Sequence, residues 1–222
     1  VLVLVDTRVI ALAPPRLLIG GIGDALATWF EARSVREANA NNFLNGKQTE
    51  TGLALAKLCY EILTNDGVAA VRDVEVNAIT PALERVIEAN TLLSGLGFES
   101  GGLSIAHAVH NGLTTQPQCA KYMHGEKVAF GLITQLVLEG RPKEELNSIL
   151  TFCLDVGLPI TLKDVGVDSN DGNAINEIAE RATVAGETSH NNVKMVNAEV
   201  LADAIRAADR CGMVYKKTRG VE

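Results

Sequence analysis

The chain has 222 residues, 47% of them hydrophobic and 21% charged, the balance of a soluble globular protein long enough to bury one sizeable core. Its formal net charge of −7 argues against non-specific nucleic-acid binding, which needs basic surface to replace phosphate counterions. No apolar run approaches the roughly 18 residues of a membrane span, and with only 4% aromatic residues the core must be built from aliphatic side chains and alanine, which favours packed helices.

The chain opens on Val1-Leu2-Val3-Leu4-Val5-Asp6. A continuous β-branched and aliphatic run suits a strand covered on both faces of a parallel sheet. Nothing downstream reads as a second such strand, so this one is expected to belong to a sheet whose other strands lie outside the chain. The alternative is a short edge strand lying on helices. Ala13-Pro14-Pro15-Arg16 marks a break, Leu17 to Gly23 reads as a glycine-rich connection, and Asp24 is expected to open a helix over Ala25 to Arg33. Asn39 to Gln48 reads as an exposed loop. Thr49 to Thr64 has helical spacing of Leu53, Ala56, Cys59 and Leu63, with Asn65-Asp66-Gly67 as its stop.

Thr80-Pro81 is a hydroxyl cap followed by proline at the first helical position, opening a helix that runs to Leu92-Leu93. Gly95 to Gly102 reads as a flexible, close-packing segment. Helices are expected over Leu103 to Gly112 and, after a polar loop from Thr114 to Ala120, from His124 to Glu139. Further helices are expected at Lys143–Val156, Asn173–Ala185 and Ala198–Tyr215. Cys59, Cys119, Cys153 and Cys211 form no CxxC pair and read as free thiols in a reducing cytoplasm. The first residues lack the basic region of a signal peptide.

Histidine is scarce, at positions 107, 110, 124 and 190. His107 and His110 are three apart and share a helix face, and a helical hairpin could bring His124 beside them. Asp24 could add a carboxylate. Two imidazoles and one carboxylate can hold a divalent metal with an open position, and such an ion can polarise an alcohol oxygen. On spacing alone, core or surface histidines and a helix-capping aspartate explain the same residues. Gly20-Gly21-Ile22-Gly23 is not a full GxGxxG, and the acid after it would repel phosphate. No serine or cysteine sits in a nucleophile-elbow context.

Longer motifs around these residues resemble the glycerol dehydrogenase family. Gly21-Ile22-Gly23-Asp24-Ala25-Leu26-Ala27-Thr28-Trp29-Phe30-Glu31-Ala32-Arg33 looks like its aspartate-ligand helix. Gly97-Phe98-Glu99-Ser100-Gly101-Gly102-Leu103 with Ala106-His107-Ala108-Val109-His110-Asn111-Gly112-Leu113 looks like its first histidine segment. His124-Gly125-Glu126-Lys127-Val128-Ala129-Phe130-Gly131 looks like its second. Thr80 to Arg85 and Gly157 to Leu162 also match, and the resemblance extends to about residue 190.

The resemblance implies a mainly α fold, the helical metal-binding domain of the dehydroquinate synthase-like, iron-containing alcohol dehydrogenase fold, led by one strand. Residues 1–16 would then be a remnant of an N-terminal NAD-binding α/β domain that this chain lacks, and residues 17–222 the all-helical domain. It implies Asp24, His107 and His124 as metal ligands, for Zn2+ or alternatively Fe2+. His110 would act at the catalytic centre, lining the substrate site or steadying a ligand, and Phe98 would border the polyol pocket. The reaction implied is NAD-dependent oxidation of glycerol to dihydroxyacetone by a cytoplasmic homo-oligomer, with the isolated chain inactive. His190 carries no expected role beyond packing. An inert metal-binding or assembly module, or a dehydrogenase of another small diol, are the competing readings.

Overall fold

The computed structural model describes residues 2–221. The chain folds as α1 (Thr7–Ala11), α2 (Pro15–Glu37), α3 (Glu50–Glu75), α4 (Pro81–Glu88), a π-helical turn (Ala89–Leu93), α5 (Ser94–Gly101), α6 (Ile105–Leu113), α7 (His124–Glu139), α8 (Lys143–Val156), α9 (Gly172–Arg181) and α10 (Ala198–Arg219). Short 3-10 turns at Pro117–Cys119, Lys163–Val165 and Thr188–Asn191 link them. The mainly α class expected from composition holds, and among the described residues no helix is long and apolar enough to cross a membrane.

Local chemistry sets several boundaries. Thr49, Thr80, Asp171 and Asn197 each accept a hydrogen bond from a first-turn backbone N–H of α3, α4, α9 and α10, relieving donors that a helix cannot satisfy internally. Gly140 and Gly157 close α7 and α8 in the left-handed region, at φ 66° and 86°, where a side chain would be strained. Helix α7 is buried on nearly all sides and packs against α2, α6, α8 and α10. Phe30, Phe130, Leu26, Leu63, Ile105 and Leu132 fill the core around it. Cys59, Cys119 and Cys153 are buried free thiols, and Cys211 is half-buried and free.

Four expectations need correction. The leading strand is absent among the described residues: 2–6 run without regular structure, and Val1 lies outside them. A strand requires ladder partners, and with none on hand Leu2 and Leu4 stand 87% exposed. Secondly, Asp24 does not open a helix. It lies inside α2, which begins at Pro15, where proline at the first helical position forfeits no bond. The run Gly20-Gly21-Ile22-Gly23 is therefore helix, not connection.

Thirdly, α3 continues through Asn65-Asp66-Gly67. Arg85 clamps Asp66 with two hydrogen bonds of 2.7 and 2.8 Å, and a Cβ on Gly67 would sit 2.9 Å from the Phe152 ring, so packing overrides the turn signal. Fourthly, Gly95 to Gly102 is helical rather than flexible up to Gly101. Its close-packing character holds, since Cβ atoms on Gly97 and Gly101 would lie 2.7 Å from Thr28 Cγ2 and 2.6 Å from Ala32 Cβ.

Candidate metal centre

Two close helix crossings assemble the site. Where α2 meets α7, a Cβ on Gly125 would fall on the Gly20 carbonyl oxygen, and one on Gly23 would strike the Gly125 carbonyl. Where α6 meets α7, a Cβ on Gly131 would run into the Ala106 carbonyl. Backbones can approach this closely only where side chains are missing. The residues next to these contact points are Asp24, His124 and His107.

Their side chains converge. Asp24 Oδ1 lies 3.0 Å from His124 Nε2 and 3.2 Å from His107 Nε2. One ligand atom from each of the three lies within 4.8 Å of the others. His110 is drawn in as well: its Nε2 is 3.0 Å from His124 Nδ1, and its Nδ1 is 3.1 Å from Asn111 Oδ1. Asn111 Nδ2 in turn donates to Glu187 Oε2 at 3.1 Å. The expected cluster of Asp24, His107, His110 and His124 is thus brought together. Phe98 is half-buried and packs edge-on to Phe43, ring centres 5.4 Å apart. His190 is exposed, with Nε2 3.1 Å from the Val184 carbonyl.

Glu31 is the residue that sequence reading missed. It lies seven positions after Asp24, two turns along the same helix face. Its side chain is fully buried. Oε1 accepts from the backbone N–H of Ser104 at 2.8 Å and of His107 at 3.0 Å, and Oε2 lies 2.6 Å from His107 Nδ1. One carboxylate thereby caps the start of α6 and backs the His107 ring. The spacing of two acids on one helix face is the only sequence signal for it.

The electrostatics follow from this crowding. Burial pushes Asp24 towards protonation, but hydrogen bonds from His107 and His124 prevail and hold its carboxyl well below the usual range. Burial opposes the charged form of His107, yet the flanking Glu31 and Asp24 carboxylates raise it to about 10. Burial, with the neighbouring His124, lowers His110 to about 4. Two carboxylates therefore converge on a spot that favours positive charge. One carboxylate oxygen and two imidazole nitrogens, with a second carboxylate behind one imidazole, fit a divalent transition metal with an open coordination position.

No protein-family model matches the chain. Among curated proteins, the glycerol dehydrogenase of Thermotoga maritima is 49% identical over 214 residues, covering 96% of this chain and 59% of that protein. That of Escherichia coli is 51% identical over the same length, covering 58% of the relative. A glycolaldehyde reductase of Halobacterium salinarum is 47% identical over 211 residues. The chain thus spans under two thirds of the length of the relatives it matches. Among solved structures, the glycerol dehydrogenase of Schizosaccharomyces pombe superposes with a TM-score of 0.94 at 40% identity, over 98% of this chain and 56% of that one. An iron-containing alcohol dehydrogenase of Thermococcus thioreducens shares the fold, with a TM-score of 0.71 at 17% identity. By sequence and by fold, the chain is similar to a part of the glycerol dehydrogenases and shares the fold of the iron-containing alcohol dehydrogenases.

Proposed function

We propose that the chain supplies the metal-binding part of an NAD-dependent polyol dehydrogenase that oxidises glycerol to dihydroxyacetone. Asp24, His107 and His124 hold a divalent metal, zinc or alternatively ferrous iron, both of which suit a donor set of two imidazoles and a carboxylate. The observation that carries this reading is the convergence of those three donors within 4.8 Å. When bound, the ion supplies Lewis-acid polarisation of an alcohol oxygen.

The chain's own residues orient and hold. Asp24 and His124 are roughly half exposed, which leaves one side of the cluster open to an alcohol. Both ring nitrogens of His110 have protein partners, which favours the steadying role over that of a proton donor. Phe98, packed edge-on to Phe43, is the residue we assign to the polyol pocket, on family likeness. Residues 1–16 are read as the edge of an adjoining nucleotide-binding domain, and residues 17–222 as the helical metal domain. The exposed Leu2, Val3 and Leu4 support a covering surface there. Nicotinamide would come from that neighbouring unit, because hydride transfer belongs to the cofactor.

Zinc content and affinity of the wild-type chain, set against Asp24→Asn and His124→Ala, test the metal site. Near-stoichiometric zinc that falls sharply in both variants is expected, since three ligands leave no spare donor. Unchanged affinity in His124→Ala would sink the assignment. A second substrate reading is favoured by the glycolaldehyde reductase, whose identity equals that of two glycerol dehydrogenases. Steady-state rates of the intact enzyme on glycerol, 1,2-propanediol, 2,3-butanediol and, in reverse, glycolaldehyde separate the two. A clear preference for glycolaldehyde would replace glycerol as the substrate.

A further inference from the structure

The histidine Nε2 atoms that face Asp24 can bind a cation only through an unprotonated lone pair, so something must decide where each ring keeps its remaining proton. For His107 the surroundings of the opposite nitrogen are complete. Nδ1 lies 2.6 Å from Glu31 Oε2. Glu31 Oε1 is already occupied by the backbone N–H groups of Ser104 and His107. A carboxylate has only acceptor atoms, so the short contact requires a proton on Nδ1. The side chain has no solvent exposure and is anchored at both oxygens, so it cannot swing away.

We infer that Glu31 is a positioning residue that keeps the His107 proton on Nδ1 and aims the Nε2 lone pair at the metal position, so that metal affinity depends on a carboxylate that never touches the metal. This rests on the reading of Asp24, His107 and His124 as ligands. The same carboxylate ties ring orientation to the backbone. It takes the N–H of His107 itself, so the first turn of α6 and the imidazole it carries are held by one group. Outer-shell carboxylates of this kind raise ligand basicity and fix the tautomer.

Glu31→Gln separates this role from a structural one. The amide oxygen can keep both backbone bonds, but the amide nitrogen then faces Nδ1 and can only donate. His107 would have to place its proton on Nε2, where it blocks the metal. Three proteins would be compared with wild type: Glu31→Gln, Glu31→Ala, which also loses the cap, and His124→Ala. The readouts are zinc affinity, unfolding of the metal-free protein, and the imidazole N–H signal of His107 in the zinc-loaded form.

Glu31→Gln is expected to weaken zinc binding about 10- to 100-fold while the metal-free protein unfolds close to wild type. It should also lose the downfield Nδ1–H resonance that zinc-loaded wild type carries. Glu31→Ala should lose zinc affinity and stability together. Wild-type zinc affinity in Glu31→Gln, with affinity lost in His124→Ala, overturns the inference and leaves the metal site standing. Metal-free Glu31→Gln as unstable as Glu31→Ala makes the residue structural and overturns it too. Unchanged affinity in His124→Ala overturns the ligand assignment, and this inference with it.

Discussion

Gly125→Ala is the sharpest test of how the site is built. An added Cβ would overlap the Gly20 carbonyl oxygen and lie 2.8 Å from the Asp24 amide nitrogen. Neither atom belongs to a side chain that could rotate away, so α2 and α7 must part by on the order of 1 Å to restore ordinary contact. Overpacking of this kind costs about 1–3 kcal/mol, and a backbone obstacle puts it at the upper end. Helical propensity returns up to about 1 kcal/mol to alanine. A net loss of about 2 kcal/mol corresponds to a fall in Tm of roughly 4–8 °C for a chain of this size. Asp24 and His124 flank this crossing on the two helices, and metal sites tolerate only about 0.2 Å in ligand distance. Zinc affinity should therefore drop by on the order of 10-fold or more. Gly95→Ala is the control: its Cβ would meet nothing within 4 Å, inside α5, and should stabilise by about 0.5–1 kcal/mol. Thermal unfolding and zinc titration of both variants decide the matter. Wild-type stability and zinc affinity in Gly125→Ala would refute the claim that the crossing sets the ligand distance.

Three further outcomes are expected. Glu139→Ala should destabilise by about 3 kcal/mol in urea unfolding, because the buried Glu139 carboxylate accepts from Arg141 Nε at 2.6 Å, from Asn192 Nδ2 at 2.7 Å and from Ser34; Glu139→Gln, which keeps an acceptor, should cost less. Asp164 is pushed up by burial but held below the usual carboxylate range by Lys216, Thr161 and the Ile160 N–H. Its folded form is thus the stronger acid, so its stabilisation is complete above the unfolded value of about 3.9 and is lost as pH falls through the folded value. The stability difference between wild type and Asp164→Asn should shrink as urea unfolding is repeated from pH 6 down to pH 3, and a difference that grows on acidification would contradict this. Replacing Leu2 and Leu4 together by serine should reduce binding of a hydrophobic dye while leaving stability within about 0.5 kcal/mol, since both are 87% exposed.

What could be read in the sequence was local. Helix α8 ends where Pro142 and Gly157 place it, and Thr80-Pro81 opens α4 as its chemistry requires. The glycines misled for a tertiary reason. Gly23 and Gly67 look like chain breakers, and only the helix or ring each one faces explains why it sits inside a helix. The first strand failed for the mirror reason, because a β-branched run has no structure without a ladder partner. Asp24 and His124 are 100 positions apart, beyond any periodicity, and their pairing came from long motifs rather than spacing. Glu31 stayed hidden because a buried acid and a surface acid look alike on a helix.

Metal removal probes the site from the other side. Side-chain exposure rises from 0% at Glu31 through 17% at His107 to 41% at Asp24 and 49% at His124. The cluster is closed behind and open in front. Its back is held by the Glu31 cap on α6 and by two glycine crossings on α7, none of which involves an ion. A structural zinc site is closed by four protein ligands, and its fold fails without the metal. Here the helices already have their packing, so a chelator should strip zinc and leave the chain folded, with near-UV circular dichroism retained. Zinc would then stabilise only by mass action, about 2.7 kcal/mol at 100 times Kd, or roughly 5–11 °C in Tm. Unfolding on chelation would mean that the ion, not the crossings, assembles the donors. An unchanged Tm under saturating zinc would mean that the donors bind no ion at all.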